Sequence, residues 1–286
     1  MRKVLGLAGA ALLFAGPALA ADLLKAPAMP MGPVLNWTGW YIGATAGYGW
    51  SDDGVNNVVL SSFCTTGIVG CPPPAPAAST ALVAAIPPHL SPDPKGFIGG
   101  GEIGYNYQLG QFVLGVEGDI SGADIKGSNA QFGSAPVVGF PNTVNVAATA
   151  SEKLDFLATI RARLGFLLAP SLLVYGTGGG AFGHVSTTTT FAESVGGPCS
   201  CGPFPAVATT TSNTLPGFVA GGGLEWMFAP QWSLKGEYLY YNLGTLSTAS
   251  QITQTNGAGA NFFGAGIASN AFIKGSIARA GINFHF

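Results

Sequence analysis

Charged side chains are scarce in this chain of 286 residues: they make up 8% of it, against about a quarter in ordinary soluble domains. A soluble β-sandwich would bury its apolar faces and have little charge left to solvate the outside, which argues against that class. Basic residues number 11 against 13 acidic ones, so the footprint that nucleic acid requires is missing. Beyond the N-terminus there is no run of about 18 or more apolar residues, which excludes a transmembrane helix. Cysteine is limited to Cys64, Cys71, Cys199 and Cys201. Neither pair has the Cys-x-x-Cys spacing of a zinc site and no His lies close by, so no metal is expected. Nothing in the sequence calls for a cofactor.

Residues 1–20 read as a secretory signal, with Arg2 and Lys3, an apolar stretch from Val4 to Gly16, and cleavage between Ala20 and Ala21. No Cys follows that point to carry a lipid anchor. Export makes disulfides possible, and four Cys allow three connectivities. Cys199 and Cys201 are too close for an easy bridge to each other, and Cys64 with Cys71, seven residues apart, is the favoured pair. Residues 21–36 carry Pro27, Pro30 and Pro33 and read as a flexible periplasmic lead-in.

From residue 37 to 286 the chain alternates, with glycine (44 residues) and aromatics (11%) prominent. The last stretch, FIKGSIARAGINFHF, puts Ala278, Ala280, Ile282, Phe284 and Phe286 on one face and Arg279, Asn283 and His285 on the other. Between Glu152 and Leu168 an apolar series, Leu154 to Leu168 at every second position, opposes Lys153, Asp155, Thr159, Arg161 and Arg163. Helical spacing would scatter those charges around the axis, so the strand reading wins. Comparable alternation recurs near residues 37–51, 96–108, 112–121, 218–228 and 232–240, while the Gly-rich stretch 172–189 leaves its facing open. Leu109-Gly110, Ala169-Pro170 and Ala229-Pro230 supply short turns, and residues 52–95, 124–150, 190–213 and 244–269 read as long loops. Eight strands joined alternately by short turns and long loops predict an all-β fold: an eight-stranded antiparallel transmembrane barrel with long extracellular loops. Tyr105, Tyr107, Phe166, Trp226, Phe228, Trp232, Phe284 and Phe286 mark one membrane interface, and Tyr48, Trp50 and Tyr240 the other.

The signal, the opening NWTGWYIGATAGYGW, the strand VEGDISG, the pair RARLGFLLAPSLLVYGTGGGAFG and the ending RAGINFHF together resemble one family. It is the α-proteobacterial outer-membrane surface-antigen or porin-like family, related to OmpA-like eight-stranded barrels. The resemblance spans nearly the whole exported chain and implies residence in outer-membrane lipid after export to the periplasm. It also implies insertion by the barrel-assembly machinery, with Ile282, Phe284 and Phe286 as the C-terminal insertion signal. Envelope integrity, surface antigenicity and, in some relatives, haem binding are the roles it suggests; no enzyme activity is expected, and the sequence does not set the oligomeric state.

On this facing the interior would hold Glu102, Glu117, Asp119, Asp155, Glu225 and Glu237 with Lys153, Arg161, Arg163, Lys235 and Arg279. Near-cancelling charges in so narrow a barrel predict an ion-pair filling rather than a pore. A small-solute channel is the alternative, and a haem-binding or lipid-modifying barrel the second alternative. For the last, His184 and Ser186 are similar to the His-x-Ser of lipid A deacylases. Thr187 departs from the Asn of that pattern, however, and the next acid is Glu193. His89 is the residue that could serve a haem.

Overall fold

In the computed structural model, the residues described are 35–51, 54–64, 75–197, 205–255 and 261–286. The proposed signal and all but two residues of the lead-in lie outside them, as do Cys71, Cys199, Cys201 and the side chain of Cys64. The elements are β1 (Gly39–Trp50), β2 (Val55–Cys64), α1 (Ala75–Ala85), β3 (His89–Leu90), β4 (Lys95–Leu109), β5 (Phe112–Pro136), β6 (Thr143–Ala169), β7 (Leu172–Gly196), β8 (Val207–Ala229), β9 (Trp232–Thr255) and β10 (Asn261–His285). Strands β1 and β4 to β10 pair in sequence order, and β10 pairs with β1, closing a ring of eight antiparallel strands. Closure removes the edges that lipid could not satisfy by hydrogen bonding.

Alternation sets which side meets lipid. On β6, Ile160 is 66% exposed while its neighbour Arg161 is 1% exposed. On β7 the uncertain facing resolves with Tyr175, Ala181 and Val185 inward and Phe182 outward. Rings line both margins of the apolar band. Trp40–Tyr105, Phe112–Phe166 and Trp232–Phe284 contact edge to face near the short turns. Tyr48–Phe97, Trp50–Tyr238 and Phe218–Tyr240 lie toward the other end. From Phe166 to Phe156, ten residues at about 3.3 Å and a tilt of about 40° span about 25 Å, which matches an outer-membrane apolar band. At the Leu109 turn Gly110 takes φ +61, a conformation that needs glycine.

Three sequence expectations are corrected. Most of the expected loops are strand: β5 and β6 run on beyond the band, leaving six residues between Pro136 and Thr143. Beyond lipid the outward face need not be apolar, so polar ladders such as Thr188–Thr210 carry no hydrophobic alternation to read. The first long segment is not a simple loop either. Strand β2 continues the path of β1 along the outer half of β10, and α1 then folds back. Finally, the pairing of β6 with β7 shifts between Leu154 and Phe156, where Asp155 is an extra residue with no partner between Val185 and His184. That bulge exchanges the faces of β6 above Phe156. Leu154 therefore turns inward and is buried. Lys153 and Asp155, expected in the lumen, lie on the outer surface as an ion pair of 2.5 Å, with side chains 49% and 34% exposed.

Candidate functional site

The interior is filled in three layers. At the short-turn end, Trp37 is fully buried just before β1 and packs in a cluster with Val113, Leu173, Tyr175 and Met227. Its indole N–H donates to the Pro170 carbonyl at 3.1 Å, its backbone N–H to Gln108 at 3.0 Å, and its ring meets His285 edge-on.

Above it lies the charged layer. Its carboxylates come from Glu102 on β4, Glu117 and Asp119 on β5, Glu225 on β8 and Glu237 on β9, and all are buried. Its cations are Arg161 and Arg163 on β6, Lys235 on β9 and Arg279 on β10, equally buried. Arg161 donates to Glu237 at 2.9 Å, to Asp119 at 3.1 Å and to Glu117. Arg163 donates to Glu225 at 2.6 Å and to the Tyr41 hydroxyl at 3.1 Å, and stands 3.9 Å from the centroid of the Tyr175 ring. Lys235 reaches Glu102 at 2.6 Å and Glu117 at 3.1 Å, and Arg279 reaches Glu237 at 2.7 Å and Asp119 at 3.1 Å. Neutral groups take up remaining lone pairs. Tyr41 donates to Glu117 at 2.6 Å, and Ser233 and Asn283 donate to Glu225 at 2.5 and 2.9 Å. A Cβ on Gly104 would collide with the Tyr41 ring, so glycine there makes room for the large side chain.

A charge isolated in so narrow a space would be strongly disfavoured; pairing with several partners is what allows the layer to exist. Of the interior charges expected from sequence, Glu102, Glu117, Asp119, Arg161, Arg163, Glu225, Lys235, Glu237 and Arg279 meet here. Lys153 and Asp155 do not. Sequence reasoning put Asn283 on the polar face without giving it a role and missed Tyr41, Ser233 and Trp37, although Tyr41 has the inward parity of Gly43 and Thr45 and could have been read from it.

The third layer occupies the long-hairpin end. Ala78, Ala81, Leu82 and Ala85 of α1 are buried against Val146 and Ala148 of β6 and Ala265 and Ile267 of β10. Those wall residues lie on the inward faces of their strands, so the helix fills the lumen there. Its side chains are small, which lets eleven residues of helix fit inside the ring.

The other candidates fall elsewhere. His184 and Ser186 face outward from β7. His184 bonds Thr214 at 3.1 Å and Ser212 at 3.0 Å, and Ser186 bonds Ser212 at 2.8 Å. Thr187 and Glu193 are buried on the opposite, inward face. His89 has its two ring nitrogens against Asn56 at 2.7 Å and Ser91 at 3.1 Å. Among the described residues no three His, Cys, Asp or Glu side chains gather to hold a metal ion. Ile282 and Phe286 are exposed on the lipid face, and Phe284 packs between Trp232 and Phe286.

A closed ring with lipid-facing apolar residues, two aromatic margins and a charged interior defines a membrane β-barrel. The chain belongs to the family described as outer membrane protein beta-barrel domain, which matches residues 7–270. It is therefore an outer-membrane protein. It is 33% identical over 249 residues to the 31 kDa outer-membrane immunogenic protein of Brucella melitensis, covering 85% of this chain and 88% of that one. An uncharacterized protein of Coxiella burnetii is 28% identical over 167 residues, 57% of this chain and 62% of the other. Among solved structures, the outer membrane protease OmpT of Escherichia coli aligns with a TM-score of 0.37 at 8% identity, covering 90% of this chain and 99% of that one. Neisserial surface protein A aligns with 0.29 at 13% identity, covering 87% and 98%. The fold assignment rests on the closed ring and the family match, not on these superpositions.

Proposed function

We propose that this protein is a structural and surface-display component of the outer membrane: a barrel closed along its axis that anchors long external hairpins and supports envelope integrity. The observation that carries this reading is that the charged layer, besides its bonds between neighbouring strands, has bonds that run across the lumen. Arg161 on β6 meets Glu237 on β9, and Arg279 on β10 meets Asp119 on β5. Side chains so joined occupy the width an aqueous path would need. The immunogenic name of the Brucella relative supports surface display.

The reading is non-catalytic and takes no haem. His184 is engaged by Thr214 and Ser212, and a nucleophilic serine would need a third group to orient its base. Single-channel recording of the refolded barrel in planar bilayers tests the closed state: no sustained openings of porin size are expected. Reproducible large openings from a monomeric sample would replace this reading with that of a small-solute channel. Antibody binding to intact cells tests the display of the hairpins.

A further inference from the structure

Four of the cations among the described residues lie in the lumen, and three of the remaining four stand in one line on the outer surface. Lys95 on β4 is paired directly with Lys126 on β5, and Lys126 directly with Lys153 on β6. All three side chains are exposed on the outward face. Directly opposed residues on neighbouring strands have Cβ atoms about 5 Å apart, and like charges so placed repel. A row that is unfavourable on its own suggests an anionic partner.

The height of the row says which partner. Phe97 lies one pleat below Lys95 on the same face and contacts Tyr48, in the aromatic margin at the long-hairpin end. The lysines thus sit just beyond the apolar band, at the depth of lipid headgroups. Lys274 on β10 is one pleat above Ser276, which is level with Trp50 and so with Lys95, and extends the rim. Below the row a groove of about 840 Å³ crosses the lipid face, lined by Ala46, Tyr48, Phe97, Gly99, Asp124 and Asp155. The wall there is shallow because small residues replace large ones between the rings, leaving space for hydrocarbon.

Two carboxylates temper the charge. Asp124 accepts from Lys126 at 3.1 Å, and Asp155 pairs with Lys153 at 2.5 Å. An ammonium has three donors, so each of these lysines keeps two for another acceptor. Lys95 has no ion pair among the described residues, and the row keeps one positive charge in excess.

We infer that Lys95, Lys126 and Lys153, with the groove beneath them, hold a phosphate-bearing lipid of the outer leaflet. The ammonium row binds the phosphate and the groove takes an acyl chain. This requires the long hairpins to face outward and is independent of whether the lumen conducts.

The test uses the full refolded barrel in neutral detergent with EDTA. Native mass spectrometry measures retention of bisphosphorylated lipid A against its dephosphorylated form. A basic residue near an anionic lipid surface contributes about a fivefold gain in binding. Wild type should therefore prefer the phosphorylated lipid by at least about tenfold, and the triple variant Lys95→Gln/Lys126→Gln/Lys153→Gln should lose that preference. Heat-modifiable mobility on gels reports whether the variant is folded; should it not fold, Lys95→Gln alone should lower retention about fivefold. Equal retention of the two lipids by wild type, or an unchanged preference in the folded variants, would overturn the inference. So would a preference that appears only when divalent cations are restored, since that assigns recognition to a cation bridge at the aspartates.

Discussion

Arg161 and Glu237 are joined at 2.9 Å across the barrel, from β6 to β9, with two strands between them along the wall. The bond fixes the distance between opposite sides of the ring, and both side chains are buried. Removing one member leaves its partners uncompensated, so Arg161→Ala should lower stability by about 3–5 kcal/mol in urea unfolding from lipid vesicles. Arg161→Ala with Glu237→Ala should cost less than the sum of the single changes, because the two share one network. Strict additivity would show that the bond contributes nothing in the folded barrel.

Closure at more than one level makes a distinct forecast for conductance. Deleting residues 75–85 removes α1 from the outer half but leaves the charged layer intact below it. That deletion should not produce sustained openings in planar bilayers. Openings are expected only when Arg161, Arg279 and Glu237 are replaced by serine as well. A conducting helix deletion would make α1 the seal and the charged layer incidental.

The bulge on β6 can be read by chemical labelling. In a background without native cysteine, Lys153→Cys should react with a membrane-impermeant maleimide on intact cells, and Leu154→Cys should stay protected. The opposite pattern would mean that the alternation runs unbroken through Asp155 and that Lys153 points inward. The same barrel should lose about 2–4 kcal/mol on Ile160→Arg, which places a charge in mid-lipid. Thr159→Arg should be no milder, because Thr159 is buried against Asp119 and the layer has no room for a second guanidinium.

Much of this arrangement was legible in the sequence wherever lipid enforces alternation. Between Phe112 and Ser121, or Leu157 and Leu168, every second residue must be apolar, and the remainder then fall to the lumen. Where that pressure stops, the signal stops. Thr187 to Thr190 form one strand, yet both faces are polar or small, so a period of two leaves no trace. The face change at Asp155 was illegible for another reason. Lys153 keeps phase with Arg161 and Arg163 along the chain, and one extra residue on β6, Asp155, visible only in the pairing with β7, breaks that phase. Helix α1 was hidden by Pro76 and the three prolines that precede the helix in sequence, although Pro76 falls in the first turn, where a missing N–H is tolerated. The residues of the charged layer could be singled out in the sequence because charged side chains are only 8% of the chain.

The last prediction separates two neighbouring tryptophans. Trp37 is fully buried at the short-turn end, whereas Trp40 is 57% exposed to lipid beside Tyr105. Truncating a packed aromatic leaves a cavity, so Trp37→Ala should cost about 3–5 kcal/mol in urea unfolding. Trp37→Phe keeps much of the volume and gives up the bond to the Pro170 carbonyl. The lost bond should cost about 0.5–1.5 kcal/mol, since Pro170 lies in an exposed turn where water can replace the donor. Trp40→Ala should cost less than Trp37→Ala, because lipid fills the space that the ring vacates while nothing fills the space inside. A larger loss at Trp40 would mean that the interfacial ring, not the interior cap, holds the start of β1 in place.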